Sequence, residues 1–256
     1  MKLQKIFLLA TIALLLGCSK DDDNDNLVNG VDRTPNLQAT GSSARDFLTA
    51  STFNSLVIEV FYVENFRPNP QTLVNLKNFM QARLNKPGGV TIIENQIQSP
   101  GMAPYDINEI AQLESAIRTK YNAGNILTLY MFFADGGTTN DTDTQFTLGS
   151  AYRNTSFVMY ESSIQNLSGG VGEPSRVNLE TTVIQHELGH LLGLVNLGTP
   201  MQTNHEDSAH PKHCTNENCL MYWEAEGSGL LEMMVGGNVP QLDANCLADL
   251  QANGGK

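Results

Sequence analysis

Short β-branched and aromatic runs alternate along this chain with stretches whose apolar residues recur at helical spacing. Ser55–Val63 reads SLVIEVFYV and is followed by Pro68 and Pro70, which predicts a strand. In Thr72–Leu84 the apolar positions Leu73, Leu76, Phe79, Met80 and Leu84 fall on one helical face before a Pro87-Gly88-Gly89 stop. A second strand is predicted at Gly89–Ile97. A helix follows at Asp106–Tyr121, with Asp106 as N-cap and Glu109 three residues on, the outline of a capping box. Asn125–Gly136 (NILTLYMFFADG) is almost continuously apolar, as a strand buried on both faces would be. Leu148–Ile164 reads as a further strand with a less apolar start suited to a sheet edge. Arg176–Gly193 can run as one helix, and Gln241–Ala252 as a last one. The order βαβαβ followed by strand and helices predicts a mixed, largely parallel α/β sheet with long helices.

The first residues follow a different rule. Lys2 and Lys5 precede an apolar run from Ile6 to Leu16, shorter than the roughly 20 residues a spanning helix needs, and small Gly17 stands before Cys18. Residues 1–17 are therefore read as an export signal. Ser19–Asn26 (SKDDDNDN) holds no apolar residue and cannot join a core, so residues 18–45 are read as a tether and 46–256 as the domain. Fifteen Lys and Arg against 27 Asp and Glu give a net charge of -12, with no basic run to neutralise a phosphate backbone, which excludes nucleic acid as a partner. Apart from Cys18 the cysteines are Cys214, Cys219 and Cys246. In an oxidising compartment their parity allows one bridge and one remaining thiol.

The chemistry concentrates late in the chain. All five histidines lie between His186 and His213. In HELGH, His186 and His190 stand four apart on one helical face and can present two imidazoles to one ion. Glu187 lies beside that ion, where it can take a proton from an activated water. A catalytic zinc takes a third protein ligand, which the helix cannot itself supply. Gly193 suits the exit from the helix. His205, His210, His213, Asp207 and Asn196 are the candidates; Asn196 is the poorest, because an amide oxygen is a weak zinc ligand beside an available imidazole.

Leu15–Cys18 (LLGC) resembles the lipobox of bacterial lipoproteins, and the acids after it resemble the surface-export signal of Bacteroidota-type lipoproteins. The resemblance implies an exported protein held at the outer membrane or cell surface by lipid on Cys18, with no other contact with the membrane. HELGHLLGL is similar to the start of the metzincin zinc-peptidase signature, and CLMYW (Cys219–Trp223) to its Met-turn. His213-Cys214, four residues and Cys219-Leu220-Met221 resemble a run found in archaemetzincins, from which this chain departs by the insert Val195–Lys212 and by lacking a second cysteine pair.

That resemblance implies a metzincin-like fold whose zinc-binding helix is followed by the Met-turn and a C-terminal helix. It implies His213 as third ligand, with His205 the alternative, Met221 under a single catalytic zinc ion, and a Cys214–Cys219 disulfide. It also implies that Gly149, Ser150 and Ala151 form an edge strand that pairs with substrate. The expected activity is endopeptidase cleavage of a peptide or protein by a monomer, with Glu187 as general base. A zinc amidase acting on cell-wall or other non-protein amides, and a non-catalytic binding lipoprotein, are the alternatives. The intact Glu187 argues against the last.

Overall fold

The computed structural model describes residues 26–227, 229–234 and 237–256. Cys18, the export signal and nearly all of the acidic stretch lie outside the described residues. A short hairpin, β1 (Leu27–Val28) and β2 (Val31–Asp32), leads through a 3-10 turn to α1 (Ala44–Leu48). There follow β3 (Ser55–Val63), α2 (Pro70–Arg83), β4 (Val90–Ile97), α3 (Ile107–Ile117) and β5 (Ile126–Phe133). The chain continues with β6 (Gly149–Arg153), β7 (Ser156–Met159), α4 (Glu161–Asn166), α5 (Arg176–Leu191), α6 (Leu230–Met233) and α7 (Ala244–Ala252).

β3 to β7 form a five-stranded sheet in the order β4-β3-β5-β7-β6. Every neighbouring pair is parallel except β6 with β7. The class is thus the mixed, mostly parallel α/β architecture that the hydrophobic pattern predicts. Side chains alternate across the pleat: Leu56, Ile58 and Val60 of β3 and Leu127, Leu129, Met131 and Phe133 of β5 join one core, packed with α2, α5 and α7. Phe61, Val63, Tyr130 and Phe132 join a second core that includes Ile110 of α3. Helices thus cover both faces, which is why β5 reads as an unbroken apolar run. No helix among the described residues is long and apolar enough to cross a membrane.

Two expectations change. The single strand predicted over Leu148–Ile164 is a hairpin followed by a helix: β6 folds back on β7 with a register shift between Ala151 and Arg153, and α4 begins at Glu161. The domain also begins before residue 46. Asn36 is fully buried, its Nδ2 donating to Asn122 Oδ1, Thr128 Oγ1 and Thr155 Oγ1, and Asn154 donates to Ser43 Oγ and to the Pro35 carbonyl. Polar residues that read as a solvated tether are here satisfied inside the domain, which a local pattern does not disclose. Beside them Glu114 of α3 is buried, paired with Arg118 and Arg153 at 2.7 Å each and accepting from Ser156 at 2.6 Å; these bonds tie α3 to the β6–β7 hairpin.

Candidate metal centre

The site is built on α5. Ser175 caps its N-terminus, Oγ accepting from Asn178 N at 3.2 Å, and the helix is buried from Leu179 to Leu191. Helical spacing sets His186 and His190 side by side, their Nε2 atoms 3.0 Å apart. His186 Nδ1 lies 2.7 Å from the Leu220 carbonyl. A carbonyl can only accept, so Nδ1 carries a proton and the ring turns Nε2 toward His190.

The helix ends at Gly193, where φ of +73° turns the chain into the left-handed region. Val195 and Asn196 follow at φ 52° and 67°, and the chain is carried away from the helix axis. Asn196 Nδ2 donates to Glu206 Oε2 at 3.0 Å, and the Lys212 amide donates to Glu206 Oε1 at 2.9 Å. One carboxylate therefore holds the start and the end of the insert together. The Asp207 amide donates to the His213 carbonyl at 2.8 Å, and His213 returns to α5. Its ring stacks on His186 with centroids 5.3 Å apart and stands edge-on to His190 at 5.1 Å. Donor atoms of His186, His190 and His213 all lie within 4.8 Å of one another. None of the three residues is more than 9% exposed.

The other candidates sit elsewhere. His205 faces Cys214 and Asp249, and His210 Nδ1 pairs with Asp207 Oδ2 at 2.7 Å while its ring stacks on Trp223 at 4.2 Å. Asn196 is engaged by Glu206 within the insert. Tyr222 lines a separate cavity with Glu217, Asn218 and Glu224.

Below the imidazoles the chain turns through Cys219, Leu220 and Met221. The Tyr222 amide donates to the Cys219 carbonyl at 2.9 Å, and the Cys214 amide to the Met221 carbonyl at 2.7 Å. Met221 is fully buried against Gly189, where an added Cβ would lie 2.1 Å from Met221 Sδ. The expected Cys214–Cys219 disulfide is not formed: all three described cysteines are free and buried. The spacing of the two cysteines allowed a bridge, but the turn sends Cys219 Sγ to Cys246 Sγ, at 3.6 Å.

A cleft of about 390 Å³ opens above, lined by Thr40, Ser150, Ala151, Glu187, His190 and His213 among others. β6 is the edge of the sheet, and of its residues Ser150 and Ala151 border the cleft. Gly149 brings its backbone against Glu187, since a Cβ there would stand 2.9 Å from Glu187 Oε1. Glu206 and Asp249 escape sequence reasoning, because neither lies in a motif and each acts through a tertiary contact. Thr40 escapes it as well, lying in a stretch that reads as tether.

No family model and no curated protein sequence matches the chain. Among solved structures it is similar to an archaemetzincin from Methanopyrus kandleri, with 18% identity and a TM-score of 0.46 over 79% of this chain and 96% of that one. It is also similar to metalloproteinase-II from Bacteroides fragilis, with 14% identity and a TM-score of 0.41 over 80% of this chain and 55% of that one.

Proposed function

We propose that this chain is a zinc-dependent peptidase whose metal is held by His186, His190 and His213 and whose general base is Glu187. The observation that supports the reading is the convergence of three buried imidazoles beside a buried carboxylate, on the wall of a cleft bordered by the edge strand β6. Three neutral imidazole nitrogens are a donor set that suits zinc and leaves a position open. A zinc ion held there supplies Lewis acidity for hydrolysis.

The chain's own groups do the rest. The Leu220 carbonyl holds Nδ1 of His186, so that ring is oriented with Nε2 toward His190. Glu187 is the cleft-lining base, positioned to accept the proton of the attacking water and hand it to the departing amine. Its carboxylate keeps this place because Gly149 leaves room for it. The β6 edge offers main-chain donors and acceptors to an extended peptide, which favours a polypeptide substrate over a compact amide.

Glu187→Gln is expected to lower kcat for a casein or peptide-library substrate by about 10²–10⁴-fold while zinc content is retained. His213→Ala should strip the ion and Asn196→Ala should leave it bound. Cleavage by Glu187→Gln at the wild-type rate would refute the reading. We further propose that the chain works as a monomer at the outer membrane or cell surface, tethered by lipid on Cys18; palmitate labelling that vanishes in Cys18→Ser tests the tether, and labelling that persists counts against it.

A further inference from the structure

His186 and His190 are placed by a helix, but His213 is not: it stands just past the insert, in a stretch that is neither helix nor strand. Side-chain and loop contacts must therefore set its place. The chain closes on itself around it. The Asp207 amide donates to the His213 carbonyl at 2.8 Å, the His213 amide to the His210 carbonyl at 3.2 Å, and the His210 amide to the Asp207 carbonyl at 3.2 Å. Residues 207–213 thus form a small closed loop with His213 at its rim, and a shift of the loop shifts His213.

An aromatic ring from outside this loop holds it in place. The His210 ring lies on Trp223 with centroids 4.2 Å apart and planes 9° from parallel. Asp207 Oδ2 meets His210 Nδ1 at 2.7 Å, which fixes the rotation of the imidazole within the stack. Trp223 arrives from the opposite side of the site. It follows Met221 by two residues and opens the 3-10 turn Trp223–Glu226, in which the Ala225 amide donates to the Tyr222 carbonyl at 3.0 Å. The stack therefore joins the turn beneath the imidazoles to the loop that delivers the third of them. A planar pair of this kind contributes more than its buried area alone, because the rings attract in a defined geometry.

We infer that Trp223 is a positioning residue for the metal centre: by stacking on His210 it holds the 207–213 loop where His213 completes the trio. The inference rests on the reading of His186, His190 and His213 as a zinc site. Groups that orient a ligand from behind govern metal affinity by about 10–100-fold without touching the ion. Met221 cannot fill this role, because it packs against Gly189 of α5, the side that carries His186 and His190. Trp223 acts on the side that carries His213. Pro211 and Lys212 of the same loop line the cleft, so the stack also sets the position of that wall.

The test is the zinc affinity of the full chain, measured by chelator competition and confined to the ion that His190→Ala removes. Trp223→Ala and His210→Ala should each weaken it by about 10–100-fold. The double variant should be no weaker than the poorer of the two, because both changes break one contact. Trp223→Phe keeps a ring against His210 and should stay within about threefold of the wild type. A residue that only supported the fold would lower the urea midpoint of the zinc-free protein and leave the affinity of the folded chain unchanged. Trp223 is the only tryptophan, so its emission reports on the stack directly, and zinc should alter it in the wild type but not in His190→Ala. Unchanged affinity in both alanine variants, or a loss that Trp223→Phe does not restore, would overturn the inference. A wild type that binds no zinc dependent on His190 would overturn the zinc reading itself, and this inference with it.

Discussion

Gly189 lies inside the HELGH motif, and a motif reading treats it as filler between two ligands. In the fold it is the point where α5 meets Met221: an added Cβ would fall 2.1 Å from Sδ and 3.0 Å from Cε. Gly189→Ala should therefore cost about 1–3 kcal/mol through overpacking, and Met221→Ala about 2–5 kcal/mol through a cavity. Because each substitution relieves part of the other's defect, the double variant should be less destabilised than the two losses together, by about 0.5–3 kcal/mol. Urea denaturation of the four proteins measures this, and strict additivity would show that the two residues do not press on one another. His186 and His190 were legible as a pair because four-residue spacing on a helix is a local rule. His213 follows no such local rule: the histidine pattern alone left it one of several, and it was singled out only by the resemblance of its His-Cys-x4-Cys-x-Met run.

At the scale of elements, strands and helices with a clear period were legible to within a few residues. The strand over Ser55–Val63 and the capping box at Asp106 stand where the pattern puts them. The misreadings share a cause. β6 and β7 are short and separated by a tight turn, so their apolar residues merge into one strand-like run until the antiparallel pairing divides them. Residues 34–45 carry no periodicity, yet their polar groups are paired with β5 and the turn between β6 and β7. Within the insert Val195–Lys212 no helix or strand forms; its shape comes from Glu206, from Asp249 accepting the Gln202 amide at 2.6 Å, and from the bridge between Glu206 and Cys214.

Across the whole molecule, one charged cluster ties the far end of α5 to the rest. Arg176 faces both Glu161 of α4 (2.8 Å) and Glu180 (2.6 Å), and Glu180 also accepts from the Asn69 amide at 2.9 Å. One cation serves two buried carboxylates. Burial first, then the neighbouring Glu180, push the Glu161 carboxyl up to about 9 from its ordinary 4.5, against the opposing pull of Arg176. A folded value above the unfolded one means that the folded chain holds this proton more tightly. The resulting stability is fully present below about pH 4.5 and is lost as the pH rises toward about 9. Glu161→Gln should remove this decline, so that the denaturation midpoints at pH 5 and pH 9 differ less than in the wild type. An unchanged difference would show that Glu161 is ionised throughout.

The sequence by itself determined the α/β class, the order of the central elements and one arm of the candidate site. Those depend on period, propensity and spacing, all written within a few residues of one another. Only the tertiary structure decided how the insert carries His213 to His186 and His190, that the cysteines gather around His205 without a disulfide, and that the sheet edge borders the cleft. The reason is physical: those outcomes depend on where a long loop lands, and its landing is fixed by Glu206, Asp249 and α7, contacts between residues far apart along the chain.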